Sequence, residues 1–430
     1  MSFATEKYNE YDPEHPTRAI LHPATVEGHE KFLGWTYEQY VSYYCSNHCT
    51  DIVEYDDYPF LASIPNTYEA DFYENMEIIR HYALLHGRTY WFCLQSQYSG
   101  YHRDPDEGAL RFSVYSAVAY GYSGITYYSY TSQSPETGLV GPDYVPNQKW
   151  HWAQTINAEV NALAPRLSRL ESQKVYHTAP LPQGTTGITG SEKVAAVSGG
   201  DMVIGELTHE KTGVNYLFLT NSDENSGHTY TVTLSGSISQ ISKIDKGSGA
   251  YVPMTMNNNT ITFAEGAGDG DLFAIDPDDS PPSVPQNLSS VIMSDTQIDL
   301  SWDASSDAET GINYYQVHRN GSEYARSDDT TYSDTHLPKN MSYTYEVSAV
   351  NWELVESGRS SSVGSAADFD RDNDVDQSDF GIFQSCYTGS GGDIEPGCEV
   401  ADYDSDEDVD PSDFSVFQSC MAGANVPPGC

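Results

Sequence analysis

Basic residues are scarce in this sequence. Its 430 residues include 20 Lys and Arg against 63 Asp and Glu, which gives a formal net charge of −43 at pH 7. Binding to the phosphates of a nucleic acid needs clustered Lys and Arg, so this balance argues against nucleic acid as a partner. It suits a protein that binds divalent cations or that stays soluble outside the cell.

Long hydrophobic runs are also missing. No stretch approaches the ~18 consecutive apolar residues of a membrane-spanning helix, so we expect no membrane span. The first residues, MSFATEKYNEYDPEHP, are polar and contain no signal-peptide core. Because the cysteines described next argue for export, we expect the signal peptide to be encoded upstream of Met1, with the N-terminus truncated here.

Cysteine is infrequent, with seven in the chain, but four of them lie close to the C-terminus. These four form two similar pairs, each shortly after an acidic stretch. We predict two small disulfide loops, Cys386–Cys398 and Cys420–Cys430. Structural disulfides require an oxidising compartment, so the pattern indicates an extracellular or secreted protein.

A second group of metal-compatible residues occurs in YYCSNHCTD, where Cys45 and Cys49 flank His48. Zinc binding would need a further pair of ligands, and no such pair stands out. A zinc site, ordinary residues at a helix end and a local disulfide all stay open for this segment.

The stretch DFDRDNDVDQSDF at 368–380 returns as DYDSDEDVDPSDF at 402–414, a shift of 34 residues. Carboxylates at alternating positions fit hard cations, above all Ca²⁺, in the spacing of an EF-hand-type loop. We therefore predict two Ca²⁺ sites. The ligands predicted for the first loop are Asp368, Asp370, Asp372, the Asp374 carbonyl, Asp376 and Asp379. Those predicted for the second loop are Asp402, Asp404, Asp406, the Asp408 carbonyl, Asp410 and Asp413.

Each acidic loop runs into a helix-compatible segment, FGIFQSC or FSVFQSC. The turn-forming Gly expected at loop position 6 is replaced by Asn373 in the first loop and by Glu407 in the second. Since Glu adopts a positive φ only at a cost, we expect the second site to be the weaker. The alternative is a solvated acidic tail, but residues 366–430 contain only one basic residue, Arg371, and would repel themselves without metal.

This pair of loops resembles the type I dockerin repeat of secreted bacterial proteins, over residues 366–430. The resemblance implies calcium-dependent folding and docking onto a cohesin-like protein partner. It departs from that pattern in following each helix with a loop closed by cysteines.

The middle of the chain has the pattern of β-sandwiches. QIDLSWDAS, YYQVHRNG and MSYTYEVSAVN are predicted strands of a unit at 281–365, with Trp302 central and an Asn-Gly turn. This unit resembles a fibronectin type III domain. Residues 175–280 are predicted to form a small β-sandwich of short strands, in which GDGDLF (268–273) is either a plain turn or an ion-binding loop.

The N-terminal 174 residues alternate between predicted strands and predicted helices. Strands are predicted at 17–23, 51–60, 88–97 and 123–132, and helices at 36–48, 69–87, 104–121 and 147–170. Such alternation indicates parallel strands joined by crossover helices. Four strands and four helices match half of an eight-fold barrel.

DIVEYDDYP, WFCLQSQ, ALRFSVYSAVAYG, GITYYSYTS and INAEVNAL are similar, in this order, to the later strands and helices of a clan A glycoside hydrolase barrel, most of all the β-galactosidase-type family 42. The fold class expected from the whole chain is therefore multidomain. A partial (β/α)8 barrel (strands five to eight, 1–174) precedes two all-β sandwich domains (175–280 and 281–365). A small α-helical dockerin-like module with two EF-hand-type loops (366–430) completes it.

The family resemblance implies catalysis by two carboxylates. The position of its acid/base Glu falls before Met1, and Gln95 occupies the position of its nucleophile. Candidate catalytic residues are then Asp56, Asp57 and Gln95, and candidate substrate-binding residues are Asp56, Tyr58, Gln95 and Tyr130. Further acids near strand ends are Glu54, Asp104, Asp106 and Glu107. Asp104 is equally well explained as a helix N-cap. Asp106 and Glu107 are equally well explained as acidic residues that favour the first helical turn.

Two functions remain open from the sequence. The first is a secreted carbohydrate-active protein, a glycoside hydrolase or part of one, tethered through a calcium-dependent dockerin-like module. The second is a non-catalytic carbohydrate-binding or structural extracellular protein. In both, carbohydrate and a cohesin-like protein are the expected partners.

Overall fold

The computed structural model describes thirteen segments of the chain: 18–23, 34–46, 51–64, 67–98, 101–131, 138–141, 144–294, 296–337, 343–363, 367–370, 374–404, 406–421 and 423–424. They divide into two compact units, 1–277 and 278–430. Asp372, Asn373, His48, Cys49 and Cys430, which carry predictions made above, lie outside the described residues. Among the described residues, no helix is long and apolar enough to cross a membrane.

The first unit begins with a four-stranded parallel sheet in the order β1-β2-β3-β4. Its strands are β1 (Arg18–Leu21), β2 (Ile52–Asp57), β3 (Thr89–Gln95) and β4 (Gly124–Tyr128). The helices of this unit are α1 (Tyr37–Ser46), α2 (Phe72–Leu85), α3 (Glu107–Ala119) and α4 (Gln148–Leu167). Each strand pairs in parallel with the next, so the alternation of strands and helices seen in the sequence does produce crossover connections.

The predicted partial (β/α)8 barrel is nevertheless wrong. Within the described residues β1 pairs with β2 alone and β4 with β3 alone, so the sheet is open and has two edges. A barrel requires every strand to be hydrogen-bonded on both sides, with its helices forming the outermost layer. Here α3 (Glu107–Ala119) packs against both the parallel sheet and a second sheet.

That second sheet is antiparallel, six-stranded and ordered β11-β10-β13-β8-β7-β5. A three-stranded sheet, β12-β9-β6, packs on its far side. The strands are β5 (Leu170–His177), β6 (Val194–Ser198), β7 (Met202–His209), β8 (Asn215–Asn221), β9 (His228–Leu234), β10 (Ile241–Ile244), β11 (Tyr251–Pro253), β12 (Thr260–Glu265) and β13 (Gly270–Ile275). These two sheets form the predicted sandwich.

Both faces of the six-stranded sheet are apolar, so one face packs on the helices and the other on the three-stranded sheet. On β8, Tyr216 and Phe218 join the core shared with the helices, whereas Leu217 and Leu219 join the core between the two antiparallel sheets. Successive side chains of a strand point to opposite faces. A strand apolar at every position is therefore buried on both faces.

Helix α3 is the element that both large sheets share. Ten of its thirteen residues are buried, so it has no solvent-facing stripe. At Gly205 of β7 a Cβ atom would lie 2.1 Å from the Ala119 carbonyl oxygen, which shows how closely the helix end approaches the sheet. Tyr115 stacks on Phe218 with ring centroids 5.9 Å apart. The parallel sheet, the helices and one face of the six-stranded sheet thus bury a shared core, and the sandwich has a second core between its two sheets.

The second unit contains a two-sheet sandwich with the orders β14-β15-β18 and β17-β16-β19. Its strands are β14 (Ser289–Ser294), β15 (Gln297–Ser301), β16 (Ile312–Arg319), β17 (Ser322–Ser327), β18 (Thr331–Thr335) and β19 (Tyr345–Asn351). Trp302 is buried and meets Tyr315 edge-on at 5.4 Å. Asn320 and Gly321 have φ angles of 51° and 77°, which form the predicted two-residue hairpin turn.

The rest of the second unit is a helical module of two similar halves. Helices α5 (Gln377–Cys386) and α6 (Pro411–Cys420) each begin with an Asp capping box, and a short 3₁₀ turn spans Glu399–Ala401. Phe383 and Phe417 stack at 5.0 Å across the module axis. Cys386 and Cys398 form a disulfide, and Cys420 is also disulfide-bonded. This helical part agrees with the expected fold class.

Candidate functional site

The parallel sheet has one apolar face and one polar face. Val53, Tyr55, Phe92 and Leu94 point into the core shared with the helices. By alternation, the opposite face carries the residues between them. We call this set the polar face: Glu54, Asp56, Trp91, Cys93, Thr126 and Tyr128. The strand DIVEYDDYP already contains the signal for it, because its acids at 54 and 56 are two residues apart.

Asp56 is the centre of the polar face at the carboxyl end of β2. Its Oδ2 accepts a hydrogen bond from the Tyr58 hydroxyl at 3.1 Å, and its Oδ1 lies 3.3 Å from His22 Nδ1 at the end of β1. The side chain keeps 15% of its accessible surface. A partly buried carboxylate held by two neighbours in this way can still accept hydrogen bonds from hydroxyl groups of a ligand through its remaining exposed surface.

Aromatic rings flank Asp56. Tyr58 stacks on Tyr128 with centroids 5.1 Å apart and an interplanar angle of 23°, and His102 meets Tyr58 edge-on at 5.9 Å. Burial, followed by the charge of Asp56, raises the pKa of Tyr58, so its hydroxyl stays protonated and can donate to that carboxylate. The ring of Tyr128 is about half exposed. We call Tyr58 and Tyr128 the tyrosine pair.

Further exposed tyrosines follow the strands at the same edge of the sheet. They are Tyr98, Tyr101 and Tyr130. Tyr130 was predicted as a substrate-binding residue, and its ring is 58% exposed just beyond β4. Sequence patterns gave no role to His22, His102 or Tyr128, because only the pairing of adjacent parallel strands brings them to Asp56.

Glu54 lies one pleat behind Asp56 and is fully buried. Its Oε1 accepts a short hydrogen bond from the Thr126 hydroxyl on β4. Cys93 lies between them on β3, and burial raises the pKa of its thiol. Asp56 is therefore the carboxylate of the polar face that solvent reaches.

Two predicted site residues lie away from the open part of the polar face. Asp57 points to the helical side, where its Oδ2 accepts from Asn75 Nδ2 at 3.1 Å and burial raises its pKa well above the usual value. Gln95 is buried, and its amide is used by the backbone: Oε1 accepts from the Phe60 amide at 3.1 Å, and Nε2 donates to the Arg103 carbonyl at 2.8 Å. Asp57 thus joins β2 to α2, and Gln95 joins the end of β3 to the backbone at Phe60 and Arg103.

The acids before α3 have structural roles. Asp106, rather than the expected Asp104, caps the helix, with its side chain accepting from the Ala109 amide at 3.0 Å. Asp104 pairs with Lys149 at 2.5 Å, and Glu107 pairs with Arg111 at 3.1 Å. The helix therefore has an Asp N-cap as predicted, but two residues later in the chain.

The carboxylates of GDGDLF are neutralised by cations. Asp269 lies 2.7 Å from Lys246 Nζ and 3.4 Å from Arg111, and Asp271 lies 2.6 Å from Lys243 Nζ. With their charges balanced by side chains, these acids join α3 to the sandwich. GDGDLF forms the end of a turn followed by the first residues of β13 (Gly270–Ile275).

In the second acidic loop, four of the predicted ligands lie together, while Asp410 belongs to a neighbouring cluster with Asp408 and Asp413. Oxygens of Asp402, Asp404, Asp406 and Asp413 all lie within 4.8 Å of one another. Asp413 is fully buried, and its Oδ1 accepts from the Tyr403 amide at 2.6 Å. Glu407 at loop position 6 has φ 70°, the strained conformation anticipated for that position. Such a group of carboxylate oxygens has the donor chemistry that Ca²⁺ prefers.

The first loop repeats this geometry where it is described. Oxygens of Asp368, Asp370 and Asp379 lie within 4.8 Å of one another, and Asp379 is fully buried. Asp379 Oδ1 accepts from the Phe369 amide at 2.6 Å, which matches the bond between Asp413 and Tyr403 thirty-four residues later. Position 12 of each loop is thus tied to the beginning of its own loop.

Comparison with known proteins finds no matching family model. Chitinase Chi52 of Paenibacillus xylanexedens is 41% identical over 73 residues, which are 17% of this chain and 14% of that enzyme. Chitinase C of Streptomyces lividans is 38% identical over 73 residues, 17% of this chain and 12% of the enzyme. The alpha-amylase of Niallia circulans is 34% identical over 73 residues, 17% of this chain and 6% of the enzyme. The chain thus spans less than a sixth of the length of each of these relatives.

Solved structures with local similarity include fibronectin type III domains. The sixth such domain of human fibronectin type III domain containing protein 3 is 18% identical, with a TM-score of 0.18, covering 20% of this chain and 85% of that chain. The Clostridium perfringens spore cortex lytic enzyme SleM is 17% identical, with a TM-score of 0.18, covering 28% of this chain and 40% of that chain.

Proposed function

We propose that this protein binds a carbohydrate at the carboxyl edge of its parallel sheet. The observation that carries the proposal is the Asp56 carboxylate, which is mostly buried but keeps 15% of its surface, beside the tyrosine pair. Aromatic rings offer a flat apolar surface to the faces of a sugar ring, and a carboxylate accepts hydrogen bonds from neighbouring sugar hydroxyls. The remaining exposed tyrosines at this edge extend the same surface.

The charge balance narrows the class of glycan. With a net charge of −43, the protein repels polyanions such as polyuronates and sulfated glycans at long range. Two cations near this edge are already paired, Arg103 with Glu224 and Lys149 with Asp104. Burial lowers the pKa of His102, which favours its neutral form. An uncharged polysaccharide or oligosaccharide fits these surroundings.

The relatives support a carbohydrate context. Their names are those of chitinases, an alpha-amylase and an exoglucanase, and the 73 to 76 shared residues would be a module that such enzymes carry. Hydrolysis of the bound glycan is the second candidate function, favoured by the two acids Glu54 and Asp56 on one face of β2. Glycosidases work with two carboxyl groups. Since Glu54 is buried against Thr126, binding is the function that the geometry supports better.

The C-terminal module would bind Ca²⁺ and attach the protein to a partner. The two acidic loops supply carboxylate oxygens in a ligand-like arrangement, and Ca²⁺ would neutralise charges that the segment itself leaves unbalanced. The exposed residues of α5 and α6 are uncharged, including Gln384, Ser385, Gln418 and Ser419. A neutral helical surface on an acidic module suits docking onto a cohesin-like protein. The Cys386–Cys398 disulfide fits an extracellular location.

Binding of the full chain to insoluble chitin, cellulose and starch, with polygalacturonate as the anionic comparison, tests the glycan proposal. Tyr128→Ala and Asp56→Asn should each weaken binding at least about tenfold, which corresponds to about 1.4 kcal/mol. Tyr43→Ala is the matched control, because Tyr43 is an exposed tyrosine of α1 outside the polar face.

Equal losses in Tyr128→Ala and Tyr43→Ala, or preferred binding of polygalacturonate, would contradict the proposed site. Release of reducing sugar that disappears in Asp56→Asn would move the conclusion from binding to hydrolysis. Binding without release would establish a non-catalytic glycan-binding protein.

A further inference from the structure

Asp413 takes part in two groups of carboxylates. Its Oδ1 accepts from the Tyr403 amide at 2.6 Å, at the start of the second acidic loop. Its Oδ2 accepts from the Asp410 amide at 2.8 Å, at the end of that loop. The side chain is fully buried, so its two oxygens bridge two neighbouring spaces. The EF-hand pattern accounts for the first space, which faces Asp402, Asp404 and Asp406.

The second space is bounded by Asp408, Asp410 and Asp413. One oxygen from each lies within 4.8 Å of the others, and all three side chains are buried. In an EF-hand-type loop Asp408 supplies only its backbone carbonyl. The EF-hand pattern therefore gives the Asp408 carboxylate no role, although this carboxylate is buried.

One oxygen of the Asp408 carboxylate, Oδ1, is buried without a hydrogen-bond donor among the described residues. The side chain is 6% exposed. Its Oδ2 accepts a short hydrogen bond from the Gly391 amide. A buried, unpartnered carboxylate oxygen beside two further buried carboxylates is costly unless a cation occupies the space. No Lys, Arg or His follows Arg371 in the chain, so no side chain of this segment supplies that cation.

We propose that the second acidic loop holds two Ca²⁺ ions, the additional one bound by Asp408, Asp410 and Asp413. Asp413 bridges the two ions through its separate oxygens. The Ser390 hydroxyl, which donates a short hydrogen bond to Asp410 Oδ2, offers a fourth oxygen at the same place. The inference rests on the proposed calcium binding of the two loops and adds an ion to it.

The first loop lacks one part of this arrangement. Asp374, Asp376 and Asp379 form the corresponding cluster. The residue that corresponds to Ser390 after a shift of 34 is Ala424, which has no hydroxyl oxygen. Asp374 Oδ1 is buried like Asp408 Oδ1, so the Ser390 hydroxyl is what distinguishes the two clusters. On this difference we expect one ion in the first loop and two in the second, so that the full chain binds three.

Calcium stoichiometry of the full chain tests this proposal. The chain is stripped of metal with a chelator, dialysed, and titrated with CaCl₂ by calorimetry, with equilibrium dialysis against radioactive calcium as a second count. Wild type should bind three ions and Asp408→Asn should bind two, because Asn keeps the acceptor for Gly391 but removes the charge. Asp374→Asn, the equivalent change in the first loop, should still bind three ions.

Two ions in wild type, or an unchanged count in Asp408→Asn, would overturn the additional site and leave one ion per loop standing. No calcium binding at all would overturn the proposed calcium function as well. Should Asp408→Asn fail to fold, Ser390→Ala keeps every carboxylate and should weaken one of the three binding events by roughly tenfold. Three events of unchanged affinity in Ser390→Ala would contradict the ligand set.

Discussion

The backbone amide of Gly389 donates a hydrogen bond to the carbonyl of Val409 at 3.0 Å. The equivalent residues of the two repeats make the reciprocal hydrogen bond: the Gly423 amide donates to the Val375 carbonyl at 3.2 Å. Each acidic loop is thus completed by the segment that follows the helix of the other repeat. Ordering one loop orders the segment that the other loop needs.

This reciprocal pairing predicts that removal of Ca²⁺ unfolds residues 366–430 in one step. Without the ions, the carboxylates within each loop repel one another. The hydrogen bonds that join each loop to the other repeat should then break together. Helicity measured by circular dichroism should fall on addition of EGTA, and limited proteolysis should become confined to the C-terminal module. The two β-sandwiches contain none of the predicted calcium ligands and should remain intact.

Asp413→Ala and Asp379→Ala sharpen this test. Because the repeats complete each other, either change alone should abolish the calcium-induced gain of helicity in both halves. A half-sized gain in each variant would show that the repeats fold independently. Unchanged helicity and protease resistance of the wild-type tail under chelation would contradict the calcium assignment itself.

Glu407→Gly should stabilise the calcium-loaded module. Glu407 has φ 70°, a conformation that costs an L-residue roughly 1–2 kcal/mol and costs Gly nothing. After allowing for the greater freedom of Gly in the unfolded chain, we expect a gain of about 1 kcal/mol. Glu407→Ala removes the same charge but keeps the strained backbone, so its thermal midpoint in saturating calcium should stay well below that of the Gly variant. Equal midpoints would mean that charge, rather than φ, governs the loop.

Gly205→Ala should destabilise the first unit by about 2–3 kcal/mol. The added Cβ would lie 2.1 Å from the Ala119 carbonyl oxygen, so α3 or β7 must shift to admit it. Urea unfolding followed by tryptophan fluorescence measures the loss. Gly187→Ala is the control, because its Cβ would meet Leu181 at an ordinary contact of 3.4 Å. Similar stabilities for the two variants would show that α3 does not bear tightly on the six-stranded sheet.

Acid should weaken the first unit through His177. Burial lowers the pKa of this side chain to about 3, and its Nε2 lies 2.9 Å from the Tyr120 hydroxyl. An unfolded His titrates near pH 6.5, so between about pH 6.5 and 3 protons bind the unfolded chain but not the folded one. The stability present above pH 6.5 is lost progressively as the pH falls through this window, by up to about 5 kcal/mol.

The measurement is the free energy of unfolding at pH 7 and pH 4 for wild type and His177→Gln. The variant has a lower stability at pH 7, because it loses packing, but should show the smaller loss on acidification. His81→Gln changes an exposed His of α2 and should keep the wild-type dependence. An identical pH dependence in His177→Gln and wild type would remove His177 from the explanation.

Local features of the fold follow from local sequence. The Asn-Gly turn at 320–321 and the strained Glu407 were both predictable, because each depends on a few neighbouring residues. The acidic clusters belong to the same group, since a loop brings carboxylates together by spacing alone. The capping roles of Asp376 and Asp410 were not predicted. The parallel pairing of β1 to β4 follows from the alternation of strands and helices.

Two features of the first unit do not follow from local sequence: whether the parallel sheet is open or closed, and which sheet packs on the other side of its helices. The segment ALRFSVYSAVAYG contains a single charged residue, Arg111, which is the pattern of a helix buried on all sides, yet nothing in it tells what buries the second side. The surroundings of Gln95 could not be predicted for a related reason. Its amide is used by Phe60 and Arg103, whose backbone groups reach it only after the loops are folded.

The position of α3 between two sheets also determines how this chain can be recombined. A crossover after residue 174 would divide one core, leaving Val203, Leu207 and Phe218 without the helix they cover. A crossover after Pro277 falls between the two compact units. In chimeric proteins the parallel sheet and the sandwich should therefore be exchanged as one cassette, because the helices cover one face of the six-stranded sheet as well as the parallel sheet.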